Sequence, residues 1–123
     1  MIQLDSGSDK PIYEQIIEQV KWNVFKGYLK PGDAIPSVRK LALSLSITPG
    51  TVARAYQELE RDHVIETIRG KGTFISSRHA SYIDEQKKAE IEGRIRWELL
   101  QLKTMGVSDA AILQMVEKLC KEL

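Results

Sequence analysis

The sequence predicts a mainly α-helical fold with a small antiparallel β-hairpin and a helical tail. Three observations support this prediction. Apolar residues recur at helical intervals in two adjacent short segments between residues 37 and 59. Two β-rich runs then flank a glycine-bracketed tip near residues 69–72. Helical periodicity returns after residue 78 and continues to the end of the 123-residue chain.

The first helix is predicted from Pro11, which suits a first helical position because its missing N–H has no partner there. Its buried face is expected to consist of Ile12, Ile16, Ile17, Val20, Val24 and Phe25. Gly27 suits a left-handed helix stop. The alternation of Ile2 and Leu4 predicts a brief strand or arm, residues 30–33 (KPGD) predict a tight turn, and residues 34–35 a minimal strand.

Two short helices are predicted next, with about three residues between them, and so short a connection forces a sharp crossing. Ser37 caps the first helix, whose apolar face is Val38, Leu41, Ala42 and Leu45. Thr48 is expected to cap the second and Pro49 to begin it. Its apolar face is Val52, Ala55, Tyr56 and Leu59. Together the pair predicts a helix-turn-helix.

The outer side of the second helix carries small, hydroxyl and basic groups near its start, at Thr48, Gly50, Thr51 and Arg54. Such a surface suits the DNA major groove, where the first turns of a recognition helix meet base edges. A merely solvated helix face is the alternative, because exposed helix faces are generally polar.

The hairpin after the second helix is predicted from strands at residues 64–68 and 73–75, with residues 69–72 as its tip. The glycines allow a close approach to a partner, and Arg69 and Lys71 supply positive charge. This arrangement predicts the wing of a winged helix, lying on phosphates or in the minor groove. An ordinary solvated hairpin is the alternative. A nucleotide-binding P-loop is excluded, since Lys71 is not followed by Ser or Thr.

The tail is predicted to be a long helix from Arg78 to about Thr104, followed by a shorter helix capped at Ser108. The first stripe of the long helix consists of Ile91, Ile95, Leu99 and Leu102, and the second stripe of Tyr82, Ala89, Gly93, Trp97 and Leu100. The last helix presents Ile112, Val116, Leu119 and Leu123 on one side.

A helix with two apolar sides needs two partners, and the last helix can cover only one of them. We therefore expect the tail to form a homodimer through residues among Ile91, Ile95, Trp97, Leu99, Leu100 and Leu102. Packing of the second stripe on the protein's own winged helix is the alternative. The expected domains are residues 1–78, which bind DNA, and residues 79–123, which dimerise.

Five segments resemble the GntR family of bacterial transcription regulators, in family order and spacing. They are residues 11–16 (PIYEQI), 27–33 (GYLKPGD), 36–42 (PSVRKLA), 51–56 (TVARAY) and 70–74 (GKGTF). The short tail is similar to that of the YtrA-type branch, whose two-helix tails dimerise. The resemblance implies a sequence-specific DNA-binding regulator, a repressor, acting as a dimer on a near-palindromic operator.

The resemblance also implies which residues meet DNA: Ser37, Arg39, Thr48, Pro49, Gly50, Thr51, Arg54, Arg69, Gly70, Lys71, Gly72 and Thr73. Arg39 is expected to contact a base, since its guanidinium pairs well with guanine. Hydroxyls of Ser37, Thr48 and Thr51 are expected to hold phosphates. The chain departs from the family pattern at Ser46 and His63, which replace glycines, and at Gly50, which replaces a longer polar residue.

Composition sets further limits. The net charge of +1 means that DNA affinity must come from where the charges lie. A single cysteine, Cys120, and the absence of a signal-like or membrane-spanning stretch predict a cytoplasmic protein. His63 and His79 lie far from other metal ligands, so no metal or cofactor is expected.

Two rival functions follow from the same residues. One is a winged-helix protein-interaction module that does not bind DNA. The other is enzymatic, as in relatives fused to a pyridoxal-phosphate domain, but no catalytic pair appears and the chain is too short. A small-molecule effector is possible and its chemistry is open.

Overall fold

A computed structural model of the chain describes residues 2–77 and 83–123. Within these residues there are five helices and one three-stranded sheet. The helices are α1 (Ile12–Phe25), α2 (Val38–Leu45), α3 (Pro49–Arg61), α4 (Glu85–Thr104) and α5 (Asp109–Glu122), and the strands are β1 (Ala34–Ile35), β2 (Ile65–Ile68) and β3 (Gly72–Ile75). The chain divides into two compact units, Met1–Ile83 and Asp84–Leu123. The predicted mainly helical fold with a winged helix-turn-helix is confirmed.

Helix α1 forms one wall of the first unit's core. Ile16 and Val20 are fully buried, and Ile12, Ile17 and Val24 are half-buried around them. The predicted place of Phe25 in this buried face was wrong, since its side chain is 65% exposed. Phe25 lies nine residues after Ile16, which is two and a half helical turns, so it points to the opposite side. There its ring lies 6.2 Å from that of Trp22.

The segments around α1 are held by its side chains and by local turns. Residues 2–5 form an arm and not a strand, because Gln15 and Gln19 bond to its backbone and Ile2 enters the core. Gly27 has a φ of +80°, as expected of a helix stop. The turn at residues 30–33 closes with a 2.9 Å bond from the Asp33 amide to the Lys30 carbonyl, which leads into β1.

The two short helices form the predicted helix-turn-helix, with their apolar faces turned into the same core. Val52, Ala55 and Leu59 are fully buried, Tyr56 nearly so, and Leu41 and Ala42 of α2 lie against them. Ser46 ends α2 in the left-handed region, with a φ of 55°. His63 follows α3 with a φ of 60°. Both non-glycine departures from the family pattern therefore occupy backbone conformations that favour glycine.

The sheet has the order β1-β3-β2, with both pairs antiparallel. Strand β3 begins at Gly72, so the hairpin tip consists of residues 69–71 and is one residue shorter than predicted. Ile65 pairs with Ile75, and both side chains enter the core. The remainder of β2 and β3 extends away from the core toward the tip, and Ile68 is exposed there.

In the second unit, α4 begins at Glu85, and the Asp84 side chain caps it by accepting a hydrogen bond from the Lys87 amide. The predicted start at Arg78 was wrong, because Ile83 and Asp84 precede the helix. An aspartate suits this capping position better than a helix interior. Arg78, His79 and Tyr82 lie outside the described residues. Helix α5 begins as predicted, with the Ser108 hydroxyl accepting a hydrogen bond from the Ala111 amide.

Within residues 2–77 and 83–123, no helix combines the length and apolar content needed to cross a membrane. In the same residues, no group of three or more His, Cys, Asp or Glu side chains converges as a metal site would require.

Candidate nucleic-acid interface

The N-terminus of α2 presents the first predicted contact residues. Ser37 adopts an extended conformation and its hydroxyl oxygen accepts a 3.2 Å hydrogen bond from the Lys40 amide. The hydroxyl therefore caps the helix, and its proton stays available for a phosphate oxygen. Arg39 and Lys40 follow in the first turn, and both side chains are exposed.

The N-terminus of α3 presents a small, hydroxyl-rich surface. Pro49 occupies the first helical position as predicted. Thr48 occupies the N-cap position as predicted, but its hydroxyl lies 3.0 Å from that of Thr51 and makes no hydrogen bond to a helix amide. Apart from its two chain neighbours and the nearby backbone of its own helix, no atom of the described residues lies within 4 Å of the position that a Cβ on Gly50 would occupy. The first turn of α3 is thus open to a close approach by a ligand backbone.

Arg54 lies one turn further along α3 and has an aromatic partner. Its guanidinium carbon is 3.8 Å from the centroid of the Tyr13 ring. Tyr13 belongs to the first turn of α1, so the contact joins two elements. A cation this close to an aromatic face is attracted by the negative potential of the ring. The N–H groups of a guanidinium lie in its plane, so a ring over one face leaves them able to donate hydrogen bonds from the edge.

The wing tip is a tight turn closed by a 2.9 Å hydrogen bond from the Lys71 amide to the Ile68 carbonyl. Gly70 has a φ of +79°, which the third residue of a type II turn requires. Arg69, Gly70, Lys71 and Gly72 are exposed and Thr73 is half-buried. The tip therefore presents two cations on a backbone with few side-chain obstructions.

Hydrogen bonds between elements hold these surfaces in a fixed relation. The Tyr56 hydroxyl of α3 donates a 2.6 Å bond to the Pro36 carbonyl, immediately before α2. The Glu60 carboxylate of α3 accepts a 3.3 Å bond from the Thr67 amide of β2. Strand β3 is tied to the turn before β1 by a 2.8 Å bond from the Ile75 amide to the Asp33 carbonyl.

Tyr56 is almost fully buried, and burial raises the pKa of its phenol to about 12. The hydroxyl therefore stays protonated at physiological pH and remains a hydrogen-bond donor. This donor links the helix that carries Arg54 to the turn that precedes Arg39. The sequence pattern predicts Tyr56 as a core residue, and its buried ring confirms this. The pattern did not predict the hydrogen bond that its hydroxyl donates.

The cations of the first unit differ in whether they have a carboxylate partner. Lys10, Lys21 and Arg61 form ion pairs with Glu18, Asp62 and Glu58, respectively. The cations of the predicted interface are different: within the described part of the chain none of them takes part in an ion pair, and they are Arg39, Arg54, Arg69 and Lys71. An exposed cation without a nearby carboxylate has no opposite charge to offset its field, so it attracts an anionic partner more strongly.

Two residues of this surface were missed by sequence reasoning. Lys40 is exposed and without an ion pair in the described residues, next to Arg39. Tyr13 stacks on Arg54, although the two lie 41 positions apart in the sequence. The charge of Lys40 was a usable signal. The Tyr13 contact depends on how α1 packs on α3, which no local pattern reveals.

The predicted dimerisation residues lie on α4 in the second unit, and most of them are exposed. Ile95, Trp97 and Leu100 are 53%, 60% and 51% exposed, and Ile91 is 40% exposed. Leu99 and Leu102 are half-buried. Helix α5 buries Ile112 only, and its remaining predicted face, Val116, Leu119 and Leu123, is exposed. Both helices therefore present uncovered apolar surface.

Comparison with known proteins identifies the first unit. The family described as bacterial regulatory proteins, gntR family, matches residues 12–75. The chain is 46% identical over 107 residues to the HTH-type transcriptional repressor YtrA of Bacillus subtilis (strain 168), an alignment covering 87% of this chain and 82% of that protein.

Solved structures show the same similarity. The transcriptional antiterminator from Listeria monocytogenes EGD-e has a TM-score of 0.86 at 38% identity, covering 98% of this chain and 90% of that one. YtrA from Sulfolobus acidocaldarius, a GntR-family transcription factor, has a TM-score of 0.61 at 33% identity, covering 76% of this chain and 95% of that one. The similarity thus extends beyond the helix-turn-helix and includes tail residues.

Proposed function

This chain belongs to the GntR family of bacterial DNA-binding transcriptional regulators, and we propose that it acts as a homodimeric repressor on a near-palindromic operator. The repressor role is supported by the 46% identity to YtrA of Bacillus subtilis, which is named as a repressor. The proposed operator symmetry follows from the proposed two-fold symmetry of the protein, because each copy would read one half-site.

The observation that carries the DNA-contact proposal is the distribution of cations in the first unit. Arg39 on α2, Arg54 on α3, and Arg69 and Lys71 on the wing take part in no ion pair with any described residue, whereas three other cations of this unit do. Neutralising phosphates is the main source of protein affinity for DNA. A net charge of only +1 leaves the interface dependent on these unpaired groups.

Each group has a proposed role in the interface. Arg39 contacts a base, because a guanidinium fork matches the two major-groove acceptors of guanine. The hydroxyls of Ser37, Thr48 and Thr51 and the first amides of α3 hold phosphates. Gly50 lets the sugar–phosphate backbone or a base edge approach α3 closely. The wing, with Arg69 and Lys71, lies on the neighbouring phosphates or in the minor groove.

The proposed dimer is supported by the uncovered apolar surface of the second unit. Trp97 and Leu100 of α4 and Leu119 of α5 are each more than half exposed. Large exposed apolar surface typically marks a protein interface. Dimerisation through the tail would place two recognition helices roughly 34 Å apart, one turn of DNA.

The experiment that tests this function is selection of bound duplexes from a random DNA pool by the purified full chain. We expect enrichment of an inverted repeat with half-sites about one helical turn apart. The affinity for the selected duplex should fall with salt with a log–log slope near −0.9 for each phosphate contacted. A pool that stays random after several rounds would contradict the proposal.

The same experiment distinguishes the rival role as a protein-interaction module. That role predicts no enrichment and, at most, weak binding that is equal for all duplexes. A protein that enriches one sequence, and loses that preference when Arg39 is replaced by alanine, reads bases. A preference that survives Arg39→Ala unchanged would move the base contact to another residue.

A further inference from the structure

We infer that Tyr13 is a positioning residue of the DNA-reading surface, holding the Arg54 guanidinium in the orientation in which it meets DNA. The inference rests on the proposed function, because it takes Arg54 to be a DNA contact. It adds a role for a side chain of α1, a helix to which that function assigns no part in reading DNA.

The distance between the two side chains is short enough for face-to-face stacking. The Arg54 guanidinium carbon lies 3.8 Å from the centroid of the Tyr13 ring, the usual separation of two flat groups in van der Waals contact. Arg54 is exposed and forms no ion pair with a described residue. Among the described residues, the Tyr13 ring is therefore the one partner of this guanidinium.

The ring is itself held in place. Tyr13 is half-buried and packs against the core of the first unit. Its hydroxyl lies 3.3 Å from a carboxylate oxygen of the neighbouring Glu14, so the hydroxyl is directed at Glu14. The contact with Arg54 thus uses the face of the ring and not the hydroxyl. Phenylalanine at this position would preserve the contact, and an aliphatic residue would remove it.

Stacking has a consequence for DNA reading. A free arginine side chain samples many rotamers, and ordering it on binding costs conformational entropy. A guanidinium held against a ring has lost part of this freedom before DNA arrives. Its N–H donors lie in the plane and at the edge, so they remain available for guanine O6 and N7 or for a phosphate.

A purely structural role for Tyr13 makes a different prediction. If the ring only fills space between α1 and α3, its removal lowers thermal stability and weakens binding to all DNA sequences equally. A positioning role instead reduces discrimination at the one base pair or phosphate that Arg54 contacts. The effect should also vanish when Arg54 is absent, because the two side chains then have nothing to couple.

The test is a double-mutant cycle with Tyr13→Leu, Arg54→Ala and both together, with Tyr13→Phe as the matched control. We expect Tyr13→Leu to weaken binding to the selected operator by about 3-fold to 10-fold per half-site. Tyr13→Phe should bind within about 2-fold of the parent protein. In the Arg54→Ala background, Tyr13→Leu should have no further effect. Equal loss with and without Arg54 would overturn the inference.

Proton NMR tests the contact between Tyr13 and Arg54 in the absence of DNA. The side-chain protons of Arg54 should show the upfield ring-current shift of groups lying over an aromatic face. Tyr13→Leu should remove this shift and Tyr13→Phe should retain it, with both variants folded. Random-coil shifts for Arg54 in the parent protein would overturn the inference even if operator binding is normal.

Failure of this inference is distinguishable from failure of the proposed function. If the parent protein selects an operator but Arg54→Ala binds it as well as the parent, the Tyr13 role is wrong and the regulator role stands. If the parent protein selects no operator at all, both are wrong.

Discussion

Ser46 and His63 carry a backbone strain that is visible in the fold. Both adopt positive φ, at 55° and 60°, in the connections that end α2 and follow α3. An L-residue in this region costs about 1–2 kcal/mol through contact of its Cβ with the carbonyl oxygen, whereas glycine has no Cβ. Ser46 lies shortly before the recognition helix α3 and His63 shortly after it. Backbone strain is therefore present at both ends of this helix.

Replacing Ser46 with glycine should raise the free energy of unfolding by about 0.5 kcal/mol, because relief of about 1–2 kcal/mol of strain is partly offset by about 0.5–1 kcal/mol of lost chain entropy. Urea denaturation measures the change. Ser44→Gly is the matched control, since Ser44 lies inside α2. That variant should instead lower the free energy of unfolding, and a Ser46→Gly protein that is equally destabilised would contradict the assignment.

The Tyr56 phenol gives a second residue-scale prediction. Its pKa is raised from 10.0 to about 12 by burial, so the folded state holds this proton more tightly than the unfolded chain does. The resulting stability is fully present below pH 10 and is lost as the pH rises through 12. The late part of the tyrosinate absorbance rise should disappear in Tyr56→Phe.

Tyr56→Phe should also cost about 1 kcal/mol of unfolding free energy at neutral pH, because the Pro36 carbonyl loses its donor. Thermal denaturation of the two proteins measures this cost. If the late absorbance persists in the variant, another phenol is responsible for it.

Residue-scale prediction from sequence succeeded where the information was local. The family pattern marked Ser46 and His63 as replacements of habitual glycines, and both adopt positive φ in the structure. The buried residues of α3 were predicted from their spacing. It failed where side chains meet across elements, as in the stack of Tyr13 on Arg54. Phe25 was assigned to the edge of the buried face of α1, although helical geometry places it opposite Ile16 and its side chain is exposed.

At the scale of elements, α2 and the wing should contribute differently to binding. Arg39→Ala should cost about 1–3 kcal/mol on the selected operator and relax the base preference at one position. Lys71→Ala should weaken binding to all duplexes alike and lower the salt slope by about 1 per protomer, as loss of a phosphate contact does. Binding isotherms at several salt concentrations measure both.

Lys118→Ala is the matched control for these two variants. Lys118 is an exposed cation of α5 in the second unit. Its replacement by alanine therefore removes the same charge as Lys71→Ala, but outside the proposed interface. Its salt slope should match that of the parent protein. If Lys71→Ala behaves like Lys118→Ala, the wing does not contact phosphates.

Elements were predicted better than their ends. Periodicity located the helices and turn chemistry located the hairpin, because both signals repeat over many residues. The predicted start of α4 was too early, because the apolar pattern in the sequence begins before Asp84, the residue that caps the helix. The Thr48 hydroxyl bonds to Thr51 in place of an amide, a choice between two neighbouring partners that sequence does not decide.

At the scale of the whole molecule, the question is which surface of the tail meets a second copy. Helix α5 already covers part of the first stripe, because Ile112 is buried beside α4 and Leu99 and Leu102 are half-buried. The second stripe has no such cover at Trp97 and Leu100. We therefore place the second stripe at the centre of the proposed dimer interface.

Leu100→Glu should produce a monomer, because a dimer would bury two unpaired carboxylates at its centre. Sedimentation at micromolar concentration should report the mass of one chain. Gln101→Glu adds the same charge one position along α4 and should remain a dimer. Circular dichroism should show both variants to be helical, since Leu100 is 51% exposed and makes little contact within its own chain.

The same pair of variants links the tail to DNA reading. A dimer binds its second half-site at high effective concentration, so Leu100→Glu should weaken binding to the full operator by about 100-fold or more. Binding to an isolated half-site should be unchanged, because the first unit keeps its own core and all of its predicted contacts. If Leu100→Glu stays dimeric while Ile95→Glu dissociates, the first stripe forms the interface. If neither Leu100→Glu nor Ile95→Glu dissociates the dimer, the tail does not couple the two copies. The spacing of half-sites must then be set by the first unit.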